Sequence, residues 1–171
     1  LGGAVAMNAG AYGGEIGEHV IEVVLASPAG IVTLSADEMD FSYRSSVLSR
    51  LPFVVLEATL CLSGCDPEES KCKISELNSK RRNKQPLEYH SAGSTFKRPE
   101  GGYAGALIEQ AGLKGLSIGG AQVSEKHSGF IINKGGAAPE DVIALIAEVQ
   151  RCVMQHSGIH LEPEVKVVGQ A

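Results

Sequence analysis

The first part of the chain alternates between apolar runs and turn residues in a way that predicts β-strands. Residues 19–26 are apolar and β-branched, residues 27–30 (SPAG) have the composition of a turn, and residues 31–34 are apolar again. Two such runs joined by turn residues predict a β-hairpin. Ser35 and Glu38 follow at the spacing of a capping box, which predicts a single helical turn through Met39.

A longer strand is predicted over residues 52–63. Successive side chains of a strand point to opposite faces. Here one face would carry only apolar side chains, namely Val54, Leu56, Ala58, Leu60 and Leu62. The other face mixes apolar and polar side chains, namely Phe53, Val55, Glu57, Thr59 and Cys61. We therefore expect one face of this strand to be buried.

Three later segments are predicted to be helices. Asp66 and Pro67 form a strong helix start that is followed by two acidic residues, and the helix should run to about Arg82. A short helix is predicted over residues 103–111 and should end at Gly112. Residues 139–156 form the clearest helix, ended by Gly158, with an apolar stripe of Val142, Leu145, Ile146, Val149 and Val153.

Short strands and one irregular segment complete the pattern. Strands are predicted over residues 116–123, 130–133 and 164–168, whereas residues 83–102 show no period of either kind. An ordered loop of this length is usually functional. Hairpin strands and helices of similar length favour an α+β fold. We place a domain boundary near Lys84, which separates residues 1–84 from residues 85–171.

Composition and charge narrow the classes of function. The 171 residues carry 15 basic and 20 acidic side chains, a net charge of -5, and no tryptophan. Such a chain has no global field that attracts a polyanion and few aromatic side chains on which bases could stack. We therefore expect no nucleic-acid partner, and no obligate protein partner is evident.

Neither a membrane segment nor a metal site is predicted. The uncharged residues 1–14 are fewer than the roughly 20 of a spanning helix, and no leader is recognisable, so we expect a cytoplasmic protein. The cysteines Cys61, Cys65, Cys72 and Cys152 include no CxxC pair, and we expect reduced thiols partly in the core. Cys152, His156 and His160 have helical spacing, but Gly158 should end that helix.

Residues 2–14 (GGAVAMNAGAYGG) consist almost entirely of small residues. Small residues let a backbone approach a flat or phosphorylated ligand closely, and they equally suit a buried, tightly packed turn. The segment has neither a GxGxxG motif after a strand nor a Walker sequence. From these residues alone both interpretations stay open.

Basic residues gather at the end of the helix predicted from residue 66. Arg81, Arg82 and Lys84 could simply complement the helix dipole. Alternatively, Lys84 and Arg98 flank the irregular segment and could together hold a diphosphate. Binding of nucleic acid by residues 80–84 is a third and weaker interpretation.

Five segments form an ordered set along the chain: residues 2–14, 43–46 (YRSS), 91–99 (SAGSTFKRP), 105–133 and 161–165 (LEPEV). In order and spacing they resemble the UDP-N-acetylenolpyruvoylglucosamine reductase family, the MurB type of peptidoglycan synthesis. The first resembles the family's segment at the flavin, the second its YRxS motif and the third its serine loop. The last two resemble its substrate domain and its terminal motif. The short link over residues 60–66 is similar to that of the family's second, shorter subtype.

The resemblance implies an enzyme that uses FAD, with NADPH as the reductant. The family has a further N-terminal lobe at the adenine and pyrophosphate of FAD, and nothing here matches it, so this chain is expected to be a fragment. Residues 1–84 would be the later half of the FAD-binding domain. Residues 85–171 would be the substrate domain, with a final strand that returns toward the flavin. We expect the chain alone to be inactive.

The family reaction reduces the enolpyruvyl double bond of UDP-N-acetylglucosamine enolpyruvate, a UDP-sugar, to give UDP-N-acetylmuramate. Hydride addition leaves negative charge on the substrate carboxylate and a carbon that needs a proton. By resemblance, Arg44 and Glu164 act at the carboxylate and Ser94 donates the proton. The implied flavin contacts are Gly3, Asn8, Ala9, Gly10, Ala11 and Tyr12, and the implied substrate contacts are Lys84 and Arg98. The alternative function is a non-catalytic module that binds a nucleotide sugar.

Overall fold

Helices and antiparallel sheets alternate along residues 1–169, the part of the chain that the computed structural model describes. The predicted α+β class is confirmed. The residues divide into two units, the first spanning Leu1–Asp66 and the second beginning at Pro67. This division lies one helix before the boundary predicted near Lys84. Residues 170 and 171, the end of the predicted second domain, lie outside the described residues.

The first unit opens with α1 (Gly2–Ala6) and a small hairpin of β1 (Gly10–Ala11) and β2 (Gly14–Glu15). A three-stranded antiparallel sheet follows, made of β3 (Val20–Ser27), β4 (Gly30–Ser35) and β5 (Val54–Leu60), with β3 in the middle. The predicted hairpin over residues 19–34 is confirmed. Its turn is closed by the hydroxyl of Ser27, which donates to the carbonyl of Gly30 at 2.8 Å.

The predicted capping box after β4 is also present. The Glu38 carboxylate accepts hydrogen bonds from the amide and the hydroxyl of Ser35, and the Met39 amide donates to the Ser35 carbonyl at 3.0 Å. This turn carries Met39 into the core of the first unit, where its side chain is fully buried. The capping box therefore helps to place the large apolar side chain of Met39 in the core.

The two faces of β5 differ from the prediction. Leu25 of β3 lies opposite Val55, but the preceding Val24 lies opposite Glu57, so Leu56 is an extra residue in a β-bulge. The bulge breaks the period of two. Core contacts are made by Phe53, Val55, Ala58 and Leu60. Val54 and Leu56 are instead 63% and 54% exposed, so the expectation of one uniform apolar face was wrong.

The second unit combines three helices with a four-stranded antiparallel sheet. Its elements are α2 (Pro67–Lys84), β6 (His90–Ser94), α3 (Ala104–Gln110), β7 (Ser117–Ile118), β8 (Ala121–Val123), β9 (Phe130–Asn133) and α4 (Pro139–Ser157). The strand order is β6-β9-β8-β7. All three predicted helices are confirmed to within a few residues at their ends. Gly112 and Gly158 follow α3 and α4 with φ of 71° each, a conformation that favours glycine.

The core of the second unit forms where α4 meets the sheet. Leu145, Val149 and Val153 of the predicted apolar stripe are fully buried, together with Ala121 of β8 and Leu161 beyond the helix. Contiguous apolar burial of this kind is the main stabilising contribution to a small unit. α2 has no buried residue and is a solvated helix of charged side chains.

Three strand predictions in the second unit need correction. Residues 90–94 were predicted to be irregular but form β6. A polar and glycine-containing segment such as this one becomes a strand because β9 pairs with it. Residues 116–123 form two strands, β7 and β8, since the Gly119–Gly120 turn folds the run back on itself. Residues 164–168 form no strand. The nearest pairing is a single bridge between Phe96 and Pro163.

Most thiols lie outside the core, contrary to part of the expectation. Cys61, Cys65 and Cys72 are exposed, and Cys152 is half-buried. Burial and a hydrogen bond to Glu148 raise the pKa of the Cys152 thiol. Within residues 1–169, no three His, Cys, Asp or Glu side chains gather as metal ligands. None of the helices in that range has both the length and the apolar character needed to cross a bilayer.

The turn between β7 and β8 generates a stability prediction. A Cβ atom at Gly120 would lie 2.4 Å from the Ala137 amide nitrogen and 2.5 Å from the Gly135 carbonyl, so backbone would have to move. We expect Gly120→Ala to lower the free energy of unfolding by about 1–3 kcal/mol or more. Gly102→Ala is the matched control, because a Cβ there meets nothing within 4 Å. Urea unfolding followed by circular dichroism measures both, and equal midpoints would contradict the prediction.

Candidate functional site

A buried asparagine organises the predicted flavin segment in the first unit. Asn8 is 2% exposed and has a φ of 47°. Its amide donates to the Glu15 carboxylate at 2.7 Å and to the Ser42 carbonyl at 3.1 Å, and its oxygen accepts from the Gly17 amide at 2.9 Å. The side chain of Asn8 therefore joins three stretches of chain.

Arg44 stands at the tip of a tight turn that this network anchors. The amides and carbonyls of Ser42 and Ser45 bond each other across the turn, and Arg44 has a φ of 55°. The buried hydroxyl of Ser46 donates to the Ala6 carbonyl at 2.7 Å. Both flanks of the turn are thus tied to the segment around α1. The Nε atom of Arg44 lies away from solvent.

Glycines in and just after the first segment fall into two groups, one in contact with other residues and one facing open space. The contact of this segment with a ligand stays a prediction. Gly10 and Gly17 are needed for packing: a Cβ would lie 2.9 Å from Glu15 Cγ at the first and 2.8 Å from Asn8 Oδ1 at the second. Gly3 and Gly13 face open space, with nothing within 4 Å of an added Cβ. Packing alone does not explain the glycines of this second group.

The exposed part of the segment fits the approach of a flat cofactor such as FAD. Ala11, Tyr12 and Gly13 are exposed at the β1–β2 turn, and Tyr12 and Gly13 have left-handed backbone with φ of 55° and 91°. Asn8 differs, because its side chain is engaged with protein groups. We therefore expect any contact of Asn8 with the flavin to run through its backbone.

The second unit brings Ser94 and Glu164 into neighbouring positions. Ser94 ends β6 and is exposed, while the next residue, Thr95, is 2% exposed. The Glu164 amide donates to the Thr95 carbonyl at 2.8 Å, and the Lys97 amide donates to the Glu162 carbonyl at 2.8 Å. These two bonds hold residues 162–164 alongside residues 95–97. Arg44, the third predicted catalytic residue, belongs to the first unit.

Lys84 and Arg98, the two side chains predicted to bind the substrate, lie near the two ends of residues 83–102, the segment predicted to be irregular. Arg98 stacks on the Tyr103 ring at 4.2 Å and donates from Nε to the Gly102 carbonyl at 3.2 Å. Lys84 is exposed at the end of α2 and lies near enough to His127 to affect its pKa. His127 is in turn next to Gly105 in the first turn of α3. Arg98 therefore lies at the start of that helix, whereas Lys84 is related to it only through the effect of its charge on His127.

Sequence reasoning missed His127. A turn formed by Ser124, whose hydroxyl accepts from the His127 amide at 3.2 Å, presents the ring. The ring packs edge-on against Phe130 at 4.9 Å, and its Nδ1 accepts from the Gly129 amide at 3.2 Å. Burial, followed by the positive charges of Lys114 and Lys84, lowers the pKa of His127. Its place inside SEKHSGF, between two strands, was the available sequence signal.

The class that these features define is an α+β protein with an exposed small-residue turn in one unit and a serine-bearing strand end in the other. Comparison with known families finds a match within the second unit. Residues 85–168 match the family described as "UDP-N-acetylenolpyruvoylglucosamine reductase, C-terminal domain". The match starts where the predicted substrate domain starts.

Relatives extend the similarity to nearly the whole chain. The UDP-N-acetylenolpyruvoylglucosamine reductase of Agathobacter rectalis is 53% identical over 171 residues, which are 99% of this chain and 54% of the relative. That of Caldanaerobacter subterraneus subsp. tengcongensis is 56% identical over 99% of this chain and 57% of the relative. The chain therefore spans little more than half the length of these curated relatives.

A solved structure agrees with the sequence comparisons. The crystal structure of the UDP-N-acetylenolpyruvylglucosamine reductase from Thermus caldophilus superposes with a TM-score of 0.81 at 36% identity. The match covers 97% of this chain and 60% of that one. The predicted resemblance to the UDP-N-acetylenolpyruvoylglucosamine reductase family is confirmed, and residues 85–168 are the part that matches the C-terminal domain of that family.

The surroundings of His127 predict a pH dependence of stability. Because its pKa is lower in the folded protein than the ordinary 6.5, the unfolded chain takes up a proton first as the pH falls. The stabilising contribution is therefore complete above the unfolded pKa and is lost as the pH falls through the folded pKa. We expect the free energy of unfolding to fall more steeply over that range in the unmodified chain than in His127→Gln, as measured by urea unfolding.

A second measurement tests the cause of the shift. Removing a nearby positive charge with Lys84→Ala should raise the pKa of His127, read from its imidazole resonances by NMR titration. Lys80→Ala is the matched control, since it removes the same charge from the same helix at a residue bonded to Glu76. Equal effects of the two variants would show that Lys84 has no special proximity to the ring.

Proposed function

We propose that this chain is the substrate-binding and proton-donating part of a flavin-dependent UDP-N-acetylmuramate dehydrogenase. The reaction would be the NADPH-dependent reduction of UDP-N-acetylglucosamine enolpyruvate in peptidoglycan precursor synthesis. The family membership of residues 85–168 and the names of the relatives support this proposal. The observation that carries it is the placement of exposed Ser94 beside the 162–164 segment, through the bond from the Glu164 amide to the Thr95 carbonyl.

Different residues of this chain would have different chemical roles in the reaction. When bound, FAD reduced by NADPH supplies the hydride that adds to the enolpyruvyl double bond. Arg44 would stabilise the negative charge that this addition places on the substrate carboxylate, and Glu164 would assist as a hydrogen-bond donor at the same carboxylate. The Ser94 hydroxyl donates a proton to the neighbouring carbon, which a weak acid can do only when it is held in position.

Each unit would supply binding residues of its own. The exposed backbone around Gly3 and at Ala11–Tyr12 would lie against the flavin. Lys84 and Arg98 would hold the diphosphate of the UDP-sugar near the start of α3, where charge-assisted hydrogen bonds to phosphate oxygens are strong. The Arg98 guanidinium lies over the Tyr103 ring, 4.2 Å from its centroid.

The proposal is tested by joining this chain to the part of the Caldanaerobacter subterraneus reductase that it does not match. We expect a yellow protein that oxidises NADPH only when the enolpyruvyl UDP-sugar is present. The chain alone is the control, and we expect it to bind FAD weakly and to show no turnover, because a dinucleotide needs contacts along its whole length. A joined protein that binds the UDP-sugar but lacks flavin would favour the non-catalytic module instead.

Replacing the proposed proton donor in the joined protein separates the two half-reactions. Ser94→Ala should slow reduction of the substrate by the flavin by about 10²–10⁴-fold and leave reduction of the flavin by NADPH nearly unchanged. Stopped-flow absorbance of the flavin measures both rates. Ser91→Ala removes a hydroxyl from the same strand and should retain both. Equal losses in the two half-reactions of Ser94→Ala would mean that Ser94 supports the loop or the flavin rather than donating the proton.

A further inference from the structure

The pairing of β6 with β9 contains an irregularity directly before Ser94. Ser91 lies opposite Ile132 and Ser94 lies opposite Phe130, so β6 uses three steps where β9 uses two. One residue of β6 is therefore extra, which defines a β-bulge. Gly93 within the bulge has a φ of 87°, a conformation that glycine adopts without strain.

The bulge interrupts the hydrogen-bond ladder at a buried position. The backbone of Ile131 faces β6, because the neighbouring Phe130 carbonyl is bonded on the other side by the Ser124 amide at 2.9 Å. Ile131 is 6% exposed, so water cannot serve its amide. A side chain takes the place of the backbone carbonyl that would accept from this amide in a regular ladder. The Ile131 amide donates to the Thr95 hydroxyl at 3.1 Å.

Thr95 makes two further bonds through its backbone. Its amide donates to the Gly129 carbonyl at 2.9 Å, and its carbonyl accepts from the Glu164 amide at 2.8 Å. A single buried residue thus contacts the turn before β9, the middle of β9 and the 162–164 segment. Ser94 precedes it directly and points its exposed side chain from the end of the bulge.

We infer that Thr95 is a positioning residue for Ser94 and Glu164. Its hydroxyl stabilises the bulged register of β6 over the regular one, and a shift of one residue would send the Ser94 side chain to the other face of the sheet. Its carbonyl holds the backbone of Glu164 beside it by accepting the 2.8 Å hydrogen bond from the Glu164 amide. The catalytic meaning of this role rests on the proposed function, whereas the structural meaning does not.

Two substitutions separate the hydroxyl from the rest of the side chain. Thr95→Val keeps the shape and removes the acceptor, which leaves the Ile131 amide buried without a partner. Thr95→Ser keeps the acceptor and removes a methyl group. Thr59→Val is the matched control, because it makes the same chemical change in a half-buried strand residue whose hydroxyl donates to the Glu22 carboxylate at 3.3 Å in a solvent-exposed bond.

Hydrogen exchange in this chain tests the structural part without any activity. We expect Thr95→Val to speed exchange of the Ile131 amide by about tenfold or more, with the β8 amides unchanged and with Thr95→Ser close to the unmodified chain. Unchanged exchange at Ile131 would overturn the inference. A uniform rise throughout the second unit would overturn it too, because it would indicate loss of general stability only.

Kinetics of the joined protein test the catalytic part. We expect Thr95→Val to lower kcat for substrate reduction by about tenfold or more with little change in KM, since misplacement of a reacting group affects the chemical step most. Thr95→Ser should restore kcat. A Thr95→Val protein with normal kcat, or a Thr95→Ser protein as slow as Thr95→Val, would refute the role. If no version reduces the substrate, the proposed function and the catalytic role fail together, and exchange at Ile131 still decides the structural role.

Discussion

A backbone amide or carbonyl that is buried must be hydrogen-bonded, and in this chain side chains meet that requirement where regular pairing stops. The Thr95 hydroxyl accepts a hydrogen bond from the Ile131 amide beside a bulge, and the Ser46 hydroxyl donates one to the Ala6 carbonyl at the end of α1. The Asn8 side chain accepts a hydrogen bond from the Gly17 amide and donates one to the Ser42 carbonyl. The irregular segments of both units take their shape from these few buried polar groups.

The same constraint explains how half-buried Arg44 and exposed Ser94 can be held in definite positions. Arg44 has a left-handed backbone and lies between two anchored serines, and Ser94 lies between a left-handed glycine and buried Thr95. Such conformations persist only where the neighbouring structure fixes them. The positions of Arg44 and Ser94 therefore depend on buried polar groups of neighbouring residues.

Segments with strong local chemistry were predictable from sequence. α2 begins at Pro67 and two acidic residues follow in its first turn, and α4 carries an apolar stripe of period 3.6 before Gly158, so both helices were predicted with nearly correct ends. The β3–β4 hairpin and the Ser35 capping box were equally local. The strand β6 and the β7–β8 hairpin were not, because a polar segment becomes a strand only when a partner supplies the pairing.

The sequence by itself determined the class of fold, the helices and the ordered motifs that bring Arg44, Ser94 and Glu164 to attention, since these depend on neighbours within a few positions or on family resemblance. Tertiary structure alone decided which glycines are needed for packing, where β5 and β6 bulge, and that Thr95 and His127 stand beside the proposed site. The physical reason is distance along the chain. The Thr95 hydroxyl meets an amide 36 residues away, and no local pattern encodes a bond of that span.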